Sequence, residues 1–182
     1  MKKIFLFSGK AEHGKTAAGD IYQSYLEERG HKVLRTCFAE YLKFVARKHF
    51  GWDGEKNEKG RKILQYVGTD VARKNNPKVW AVVASNLIYA LSSAYDYAII
   101  DDLRFLNEIE AFHHGTVSCM PIRVVRYNKD GSIYENSLTE EQRKHESETQ
   151  LDDYPFGIYI SSFSGLENLK KAILPSIEAF IF

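Results

Sequence analysis

The sequence predicts an α/β fold of three layers, α/β/α, in which helices cover both faces of a five-stranded parallel sheet. Segments typical of strands alternate with segments typical of helices along the whole chain, as in a parallel sheet. The predicted strand over residues 95–100 ends in the apolar run Tyr97-Ala98-Ile99-Ile100, which is typical of a strand buried on both faces. The 182 residues, 44% of them hydrophobic and 27% charged, predict a single domain over 1–182.

The first half of the chain contains two predicted strands and four predicted helices. The strands occupy residues 3–7 and 32–38, which are short apolar or β-branched segments. The helices occupy residues 14–29, 40–50, 61–74 and 78–93. Gly30 and Gly51 end the first two helices, as glycine commonly does, and a polar loop over 52–60 precedes the third.

The second half contains three predicted strands and three predicted helices. The strands occupy residues 95–100, 122–127 and 157–161, and the helices occupy residues 107–114, 138–150 and 166–180. The segment 128–153 is rich in Glu, Lys, Arg and Gln and has few apolar residues. We therefore predict that it is a surface lid inserted between the fourth and fifth strands.

Composition excludes several classes of protein. The net charge of +1 lacks the basic excess of a nucleic-acid binder, and no apolar run approaches the roughly 20 residues of a membrane helix. The apolar run at the N-terminus is too short for a signal peptide. Two cysteines cannot form a disulfide framework. We expect a cytoplasmic protein that binds neither nucleic acid nor membrane.

The segment GKAEHGKT matches the phosphate-loop pattern G-x-x-x-x-G-K-[ST] between a predicted strand and a predicted helix. Its residues are Gly9, Lys10, Ala11, Glu12, His13, Gly14, Lys15 and Thr16. Backbone N–H groups of such a loop bind the phosphates of ATP, the lysine contacts the β- and γ-phosphates, and the hydroxyl binds Mg²⁺. We expect His13 to face solvent. The alternative is a strand-to-helix turn without a ligand.

Two carboxylates end the third predicted strand, where ligands bind in open α/β sheets. Asp101 or Asp102 would hold Mg²⁺ or accept a proton, and Asp102 is our candidate for a catalytic role. Adjacent strand residues point to opposite faces, so only one of them can face the metal. The alternative is that one caps a helix or pairs with Arg104. Arg104 is also a candidate for binding the substrate.

The helical region of about 40–93 is the predicted binding site for the acceptor. Its candidates are Arg61, Gln65, Asp70 and Arg73. An arginine fork suits a phosphate, and an amide or carboxylate suits the edge of a base. Gly68, inside the same predicted helix, would let the backbone approach the ligand. The alternative is a solvated charged face.

The lid contributes one candidate, Arg143, on a polar helix. An arginine that closes over the transferring phosphoryl group stabilises its negative charge, so we predict a catalytic role. The alternative is a solvated helix stabilised by pairs of charges one turn apart.

These motifs resemble those of the deoxynucleoside monophosphate kinases of bacteriophages and some bacteria, within the nucleoside monophosphate kinase group of P-loop proteins. The resemblance rests on five segments: GKAEHGKT, FAEYLK (38–43), RKILQYVGTDVAR (61–73) with Trp80, IIDDLRFLNE (99–108) and HESE (145–148). They follow the order of the family and cover nearly the whole chain.

The resemblance implies a P-loop kinase fold with a lid, and transfer of a phosphoryl group from ATP to a deoxynucleoside 5′-monophosphate with Mg²⁺. The expected partners are therefore small nucleotides, and the sequence leaves a homodimer open. One alternative is a P-loop kinase acting on another small phosphate or a hydroxyl. Another is a regulatory nucleotide-binding module, which the lack of an N-K-x-D motif disfavours.

Overall fold

The computed structural model describes residues 1–55, 57–113 and 115–181. Five strands in these residues form one parallel sheet in the spatial order β2-β3-β1-β4-β5. The strands are β1 (Lys3–Ser8), β2 (Val33–Thr36), β3 (Tyr97–Leu103), β4 (Ser118–Tyr127) and β5 (Ile158–Phe163). The predicted five-stranded parallel sheet is therefore confirmed.

Helices connect the strands and cover both faces. They are α1 (Lys15–Glu27), α2 (Phe38–His49), α3 (Glu58–Gln65), α4 (Val79–Ala90), α5 (Leu106–Glu110), α6 (Glu140–Lys144), α7 (Glu146–Thr149) and α8 (Leu166–Ile181). The predicted end of the fifth helix at His114 lies outside the described residues. None of these helices combines the length and apolarity needed to cross a membrane.

Strand β1 lies at the centre of the sheet and divides the core in two. Phe5 and Phe7 pack on one face with Tyr22 of α1 and Ile173 of α8. The alternate residues of the strand, including Leu6, pack on the other face with side chains from α2, α4 and α5. Burial on both faces explains why the strand is apolar throughout.

The helical region differs from the sequence prediction in its backbone. Helix α3 begins inside the predicted loop because the side chain of Asn57 accepts the N–H of Gly60 at 2.8 Å. After α3 the chain continues as a π-helical segment, Tyr66–Arg73. A β-carbon at Gly68 would lie 2.8 Å from the side chain of Leu42. The glycine therefore makes room for Leu42, which accounts for it without a ligand, and the close approach of a ligand stays a prediction.

The lid helix predicted over 138–150 is two short helices, α6 and α7. The break is at His145, whose backbone is extended with ψ of 144°. Its side chain accepts the N–H of Ser147 and caps α7. The lid is also anchored in the core, because Leu151 is buried there.

Strand β3 extends to Leu103 and so contains both aspartates. The carboxylate of Asp102 accepts the backbone N–H groups of Phe38 at 2.9 Å and Ala39 at 3.0 Å. Burial raises the pKa of this carboxyl above its usual range. Because both oxygens hold the first turn of α2, the structure favours the capping alternative for Asp102 over the catalytic and metal roles we predicted for it.

Replacing this cap should destabilise the protein. We expect Asp102→Ala to lower the free energy of unfolding by about 1–2 kcal/mol, since N–H groups at the start of α2 lose their acceptors. Urea denaturation followed by circular dichroism measures the change. The exposed Asp153→Ala variant is the control, and equal stabilities of the two variants would contradict the capping role.

Candidate active site around the phosphate loop

The segment between β1 and α1 forms a tight loop with unusual backbone angles. Gly9 has φ of +154°, and a β-carbon there would lie 2.5 Å from the carbonyl oxygen of Val124. Gly14 and Glu12 have φ of 92° and 63°, in the left-handed region that most residues avoid. The glycine spacing read from the sequence thus corresponds to a real steric requirement.

Lys15 is the buried cation of this loop. Its Nζ donates to the carbonyl oxygens of Gly9 at 2.9 Å and Lys10 at 2.8 Å. Burial, and then the charge of Arg104, lower its pKa to about 7. Anionic phosphate oxygens beside this group would favour its charged form. The lysine is thus held where a phosphate would stabilise it.

The prediction that His13 faces solvent is wrong. The side chain is buried, and Nδ1 accepts the N–H of Arg126 at 3.3 Å. Nε2 lies 3.0 Å from the carbonyl oxygen of Tyr134 and must be the donor. Burial lowers the pKa of the imidazole, so the neutral ring links the loop to β4 and the lid.

Asp101 and Thr16 are the residues whose oxygen atoms could hold a magnesium ion. Arg35 donates to Oδ2 of Asp101 at 2.7 Å and to the backbone oxygen of Thr16 at 3.2 Å, which fixes the carboxylate beside the first turn of α1. A β-carbon at Gly19 would lie 2.2 Å from the Arg35 guanidinium, so a larger residue there would displace this guanidinium from its present position. Carboxylate and hydroxyl oxygens are the donors that Mg²⁺ prefers.

The lid lies against the phosphate loop. Oε2 of Glu148 accepts the backbone N–H of Ala11 at 2.9 Å, and the same carboxylate forms an ion pair with Arg104. Lys10 donates to the backbone oxygen of Glu148 and pairs with Asp152. Glu12 accepts hydrogen bonds from the lid as well, at Ser137. The predicted surface lid is therefore in direct contact with the loop.

Arg123 is a site residue that the sequence analysis did not identify. It lies on β4, donates to Oγ of Ser8 at 3.1 Å and pairs with Asp152 at 2.8 Å. Its charge contributes to the lowered pKa of Lys15. No signal in the sequence indicated it, because Arg123 is the second residue of the predicted strand 122–127 and lies near its amino end.

A cavity of about 420 Å³ lies between the helical region, the β3–α5 connection and the lid. It is lined by Thr69, Asp70, Arg73, Lys74, Pro77, Phe105, Asn107, His145, Glu146 and Gln150. The guanidinium of Arg73 stacks 4.0 Å from the centre of the Phe105 ring and pairs with Glu108 at 3.0 Å. The arginine is therefore held rigidly at the wall of the cavity.

Glu108 is the residue that organises this wall. Its side chain is 2% exposed, and Oε2 accepts the backbone N–H groups of Arg104 at 2.7 Å and Phe105 at 3.0 Å. Burial raises its pKa to about 7. The carboxylate thus fixes both the Arg73 guanidinium and the backbone that carries Arg104.

The structure places the predicted substrate-binding residues in three different surroundings. Asp70 and Arg73 line the cavity, whereas Arg61 and Gln65 are exposed on α3 and are not among its lining residues. Arg104 is paired with Glu148 beside the loop.

Arg143 lines a second cavity, of about 240 Å³, between the loop and the lid. Its Nη1 donates to Glu135 at 3.2 Å and its Nη2 to the backbone oxygen of Asn136 at 2.9 Å. Lys10 and His13 of the loop line the same cavity. The predicted lid arginine therefore faces the phosphate loop.

A third cavity, also about 240 Å³, borders the other side of the loop. Gly14, Arg126 and the β5–α8 connection at 163–166 line it. Since β5 and β3 lie on opposite sides of β1 in the sheet, this cavity and the cavity with Arg73 flank the phosphate loop.

No protein-family model matches the chain, and no curated protein matches it. Solved structures match over nearly its full length. A mutant of the APS kinase of Mycobacterium tuberculosis has 9% identity and a TM-score of 0.52, with 97% of each chain covered. The APS kinase of that organism in complex with AMPPNP and APS has 10% identity and a TM-score of 0.51, with 97% of this chain and 98% of that chain covered. A sugar kinase from Janibacter sp. HTCC2649 has 12% identity and a TM-score of 0.50, with the same shares covered. The chain thus has the fold of P-loop kinases.

The lowered pKa of Lys15 predicts how phosphate binding depends on pH. Bound phosphates favour the charged lysine, so binding takes up a proton, and affinity falls as pH rises above about 7. We expect ADP affinity to fall by up to about tenfold per pH unit between pH 7.5 and 9. Calorimetry in buffers of different ionisation enthalpy measures the proton uptake. In Lys15→Met the pH dependence should be flat, and an equal slope in both proteins would exclude Lys15 as its source.

Proposed function

We propose that the protein transfers the γ-phosphoryl group of ATP to a deoxynucleoside 5′-monophosphate. The observation that carries this proposal is Arg73, held by Phe105 and Glu108 at the wall of a cavity beside the phosphate loop. A fixed guanidinium fork binds a phosphate group with both charge and shape. The preference for deoxyribose rests on the family resemblance of the sequence.

The donor would lie along the phosphate loop. Its phosphates would contact Lys15 and the loop amides, and its base would occupy the cavity at the β5–α8 connection. One of the structural neighbours carries AMPPNP, which supports ATP as donor. The acceptor would occupy the opposite cavity, where Arg73 binds its phosphate and Asp70 accepts hydrogen bonds from its base.

The chemistry then needs positioning and charge neutralisation. The acceptor phosphate has a second pKa near 6 and is already ionised at pH 7, so no general base is required. One of its oxygens bonds to the γ-phosphorus as the bond to the bridging β-γ oxygen breaks, and ADP leaves. Lys15, Arg123 and Arg143 stabilise the charge on the transferring group, and the lid excludes water.

Mg²⁺ would be held by Thr16 and Asp101, and when bound it neutralises charge on the phosphates. Arg35 orients Asp101 for this contact, and Gly19 makes room for Arg35. Asp102 contributes to the site through the position of α2.

An ADP-release assay over ribo- and deoxyribonucleoside monophosphates, APS and simple sugars tests the function. We expect turnover with a deoxynucleoside monophosphate. Arg73→Ala should raise the KM for the deoxynucleoside monophosphate by roughly 10- to 100-fold, because a hydrogen bond to a charged group is lost. The KM for ATP should stay unchanged. Arg61→Ala is the matched variant and should change neither value. Turnover with only APS or a sugar would refute the acceptor assignment.

Asp101→Asn tests the metal assignment. Removing this charge should raise the Mg²⁺ concentration for half-maximal turnover about tenfold, because one hard anionic ligand is lost. A Mg²⁺ titration at saturating ATP measures the shift. Asp102→Asn is the comparison and should keep the wild-type titration. If Asp102→Asn shifts and Asp101→Asn does not, the two roles are reversed.

A further inference from the structure

The carboxylate of Glu148 occupies a position suited to a phosphate. A phosphate loop binds anions through backbone N–H groups at its turn, and Oε2 of Glu148 accepts such a group, from Ala11, at 2.9 Å. The side chain is 7% exposed, so water does not replace this contact. The lid has thus inserted an anion of its own into the loop.

The neighbouring contact has the same character. Lys10 of the loop donates to the backbone oxygen of Glu148 and forms an ion pair with the carboxylate of Asp152. The other oxygen of the Asp152 carboxylate accepts from Arg123 at 2.8 Å. Donors that would suit phosphate oxygens therefore bind two carboxylates of the lid instead: the Ala11 N–H binds Glu148, and Lys10 and Arg123 bind Asp152.

Glu148 also controls Arg104. The Arg104 guanidinium contacts the second oxygen of the Glu148 carboxylate and the backbone oxygen of Ser147. The backbone N–H of Arg104 is fixed by Glu108, which also holds Arg73 of the acceptor cavity. Arg104 therefore lies between the two proposed substrate positions, and its charge is neutralised while Glu148 stays on the loop.

We propose that Glu148 is a positioning residue that takes the place of a donor phosphate on the loop, and that its displacement releases Arg104 to bind the acceptor phosphate. The second half of this statement rests on the proposed function. Binding of the two substrates is then coupled, because the donor removes the partner that neutralises Arg104. Such coupling is reciprocal, so the acceptor also increases the affinity for the donor by the same factor.

The first experiment needs no acceptor and no turnover. Calorimetry measures AMPPNP binding to the wild-type protein and to Glu148→Gln, which keeps the size of the side chain but removes its charge. We expect the variant to bind AMPPNP at least about fivefold more tightly, the lower range of measured coupling factors. Glu140→Gln is the matched control, since that exposed lid carboxylate pairs only with Lys144 on its own helix in the described structure.

A second variant keeps the proposal testable if Glu148→Gln does not fold. Asp152→Asn removes the other lid carboxylate, which frees Lys10 and Arg123, and should also tighten AMPPNP binding. Thermal unfolding confirms that each variant is folded. Equal or weaker AMPPNP binding in the folded variants would show that Glu148 supports the donor site and does not compete for it, and would overturn the proposal.

The coupling is measured with the acceptor that gives the highest turnover in the ADP-release assay. AMPPNP should lower its Kd at least about fivefold in the wild-type protein, and this ratio should approach one in Glu148→Gln. An unchanged ratio would exclude the release of Arg104. If no nucleotide is turned over, the proposed function fails, whereas the AMPPNP measurement still decides whether Glu148 competes with phosphate.

Discussion

The concentration of positive charge at the carboxyl edge of a parallel sheet is the constraint on which the site depends. Lys15 is buried there with the guanidinium groups of Arg104 and Arg123 close enough to lower its pKa. Like charges in a dry environment repel strongly. Such a cluster persists in a folded chain only when anions are supplied. The carboxylates of Asp101, Glu108, Glu148 and Asp152 meet this requirement in the structure.

The carboxylates differ in how firmly they are bound into the fold. Glu108 is buried and held by two backbone N–H groups of its own β3–α5 connection. Asp101 lies on a central strand and is fixed by Arg35. Glu148 and Asp152 belong to the lid, which also contacts the loop through Tyr134 and Ser137. Glu108 and Asp101 stay in place and shape the wall of the acceptor cavity and the proposed metal site. Glu148 and Asp152 are the carboxylates that a substrate can replace.

The sequence predicted the parts of the molecule that depend on local chemistry. The phosphate loop follows from the glycine spacing and from the apolar strand before it, and the sheet follows from the alternation of strands and helices. Arg73 and Asp70 were identified because the residue types suited a nucleotide, and both line the same cavity. The sequence patterns that indicate these features are local, although the strands of the sheet pair distant parts of the chain.

Features that depend on distant contacts were not predicted. Asp102 caps a helix more than sixty residues earlier, and no local pattern indicates which aspartate of the pair does so. His13 is buried by Tyr134 of the lid, which sequence alone cannot place. The π-helical segment contains Gly68, which packs against Leu42 and whose carbonyl oxygen accepts a hydrogen bond from Trp80; both partners are distant in sequence. Arg61 and Gln65 share the helical spacing of Arg73 but lie outside the cavity. The backbone is α-helical up to Gln65 and π-helical from Tyr66 to Arg73, so a regular helical spacing does not hold across this boundary.

The pairing of the loop cations with lid carboxylates also bears on how fast a nucleotide arrives. Electrostatic steering accelerates association when a cleft presents unbalanced charge to the solvent. Here Lys10, Arg104 and Arg123 have anionic partners, so the protein with its lid on the loop directs little positive potential outward. The encounter with a nucleotide would then be governed by how often the lid leaves the loop, and the association rate would respond weakly to ionic strength. A site rich in arginine and lysine can thus behave, toward an approaching polyanion, as an almost neutral surface.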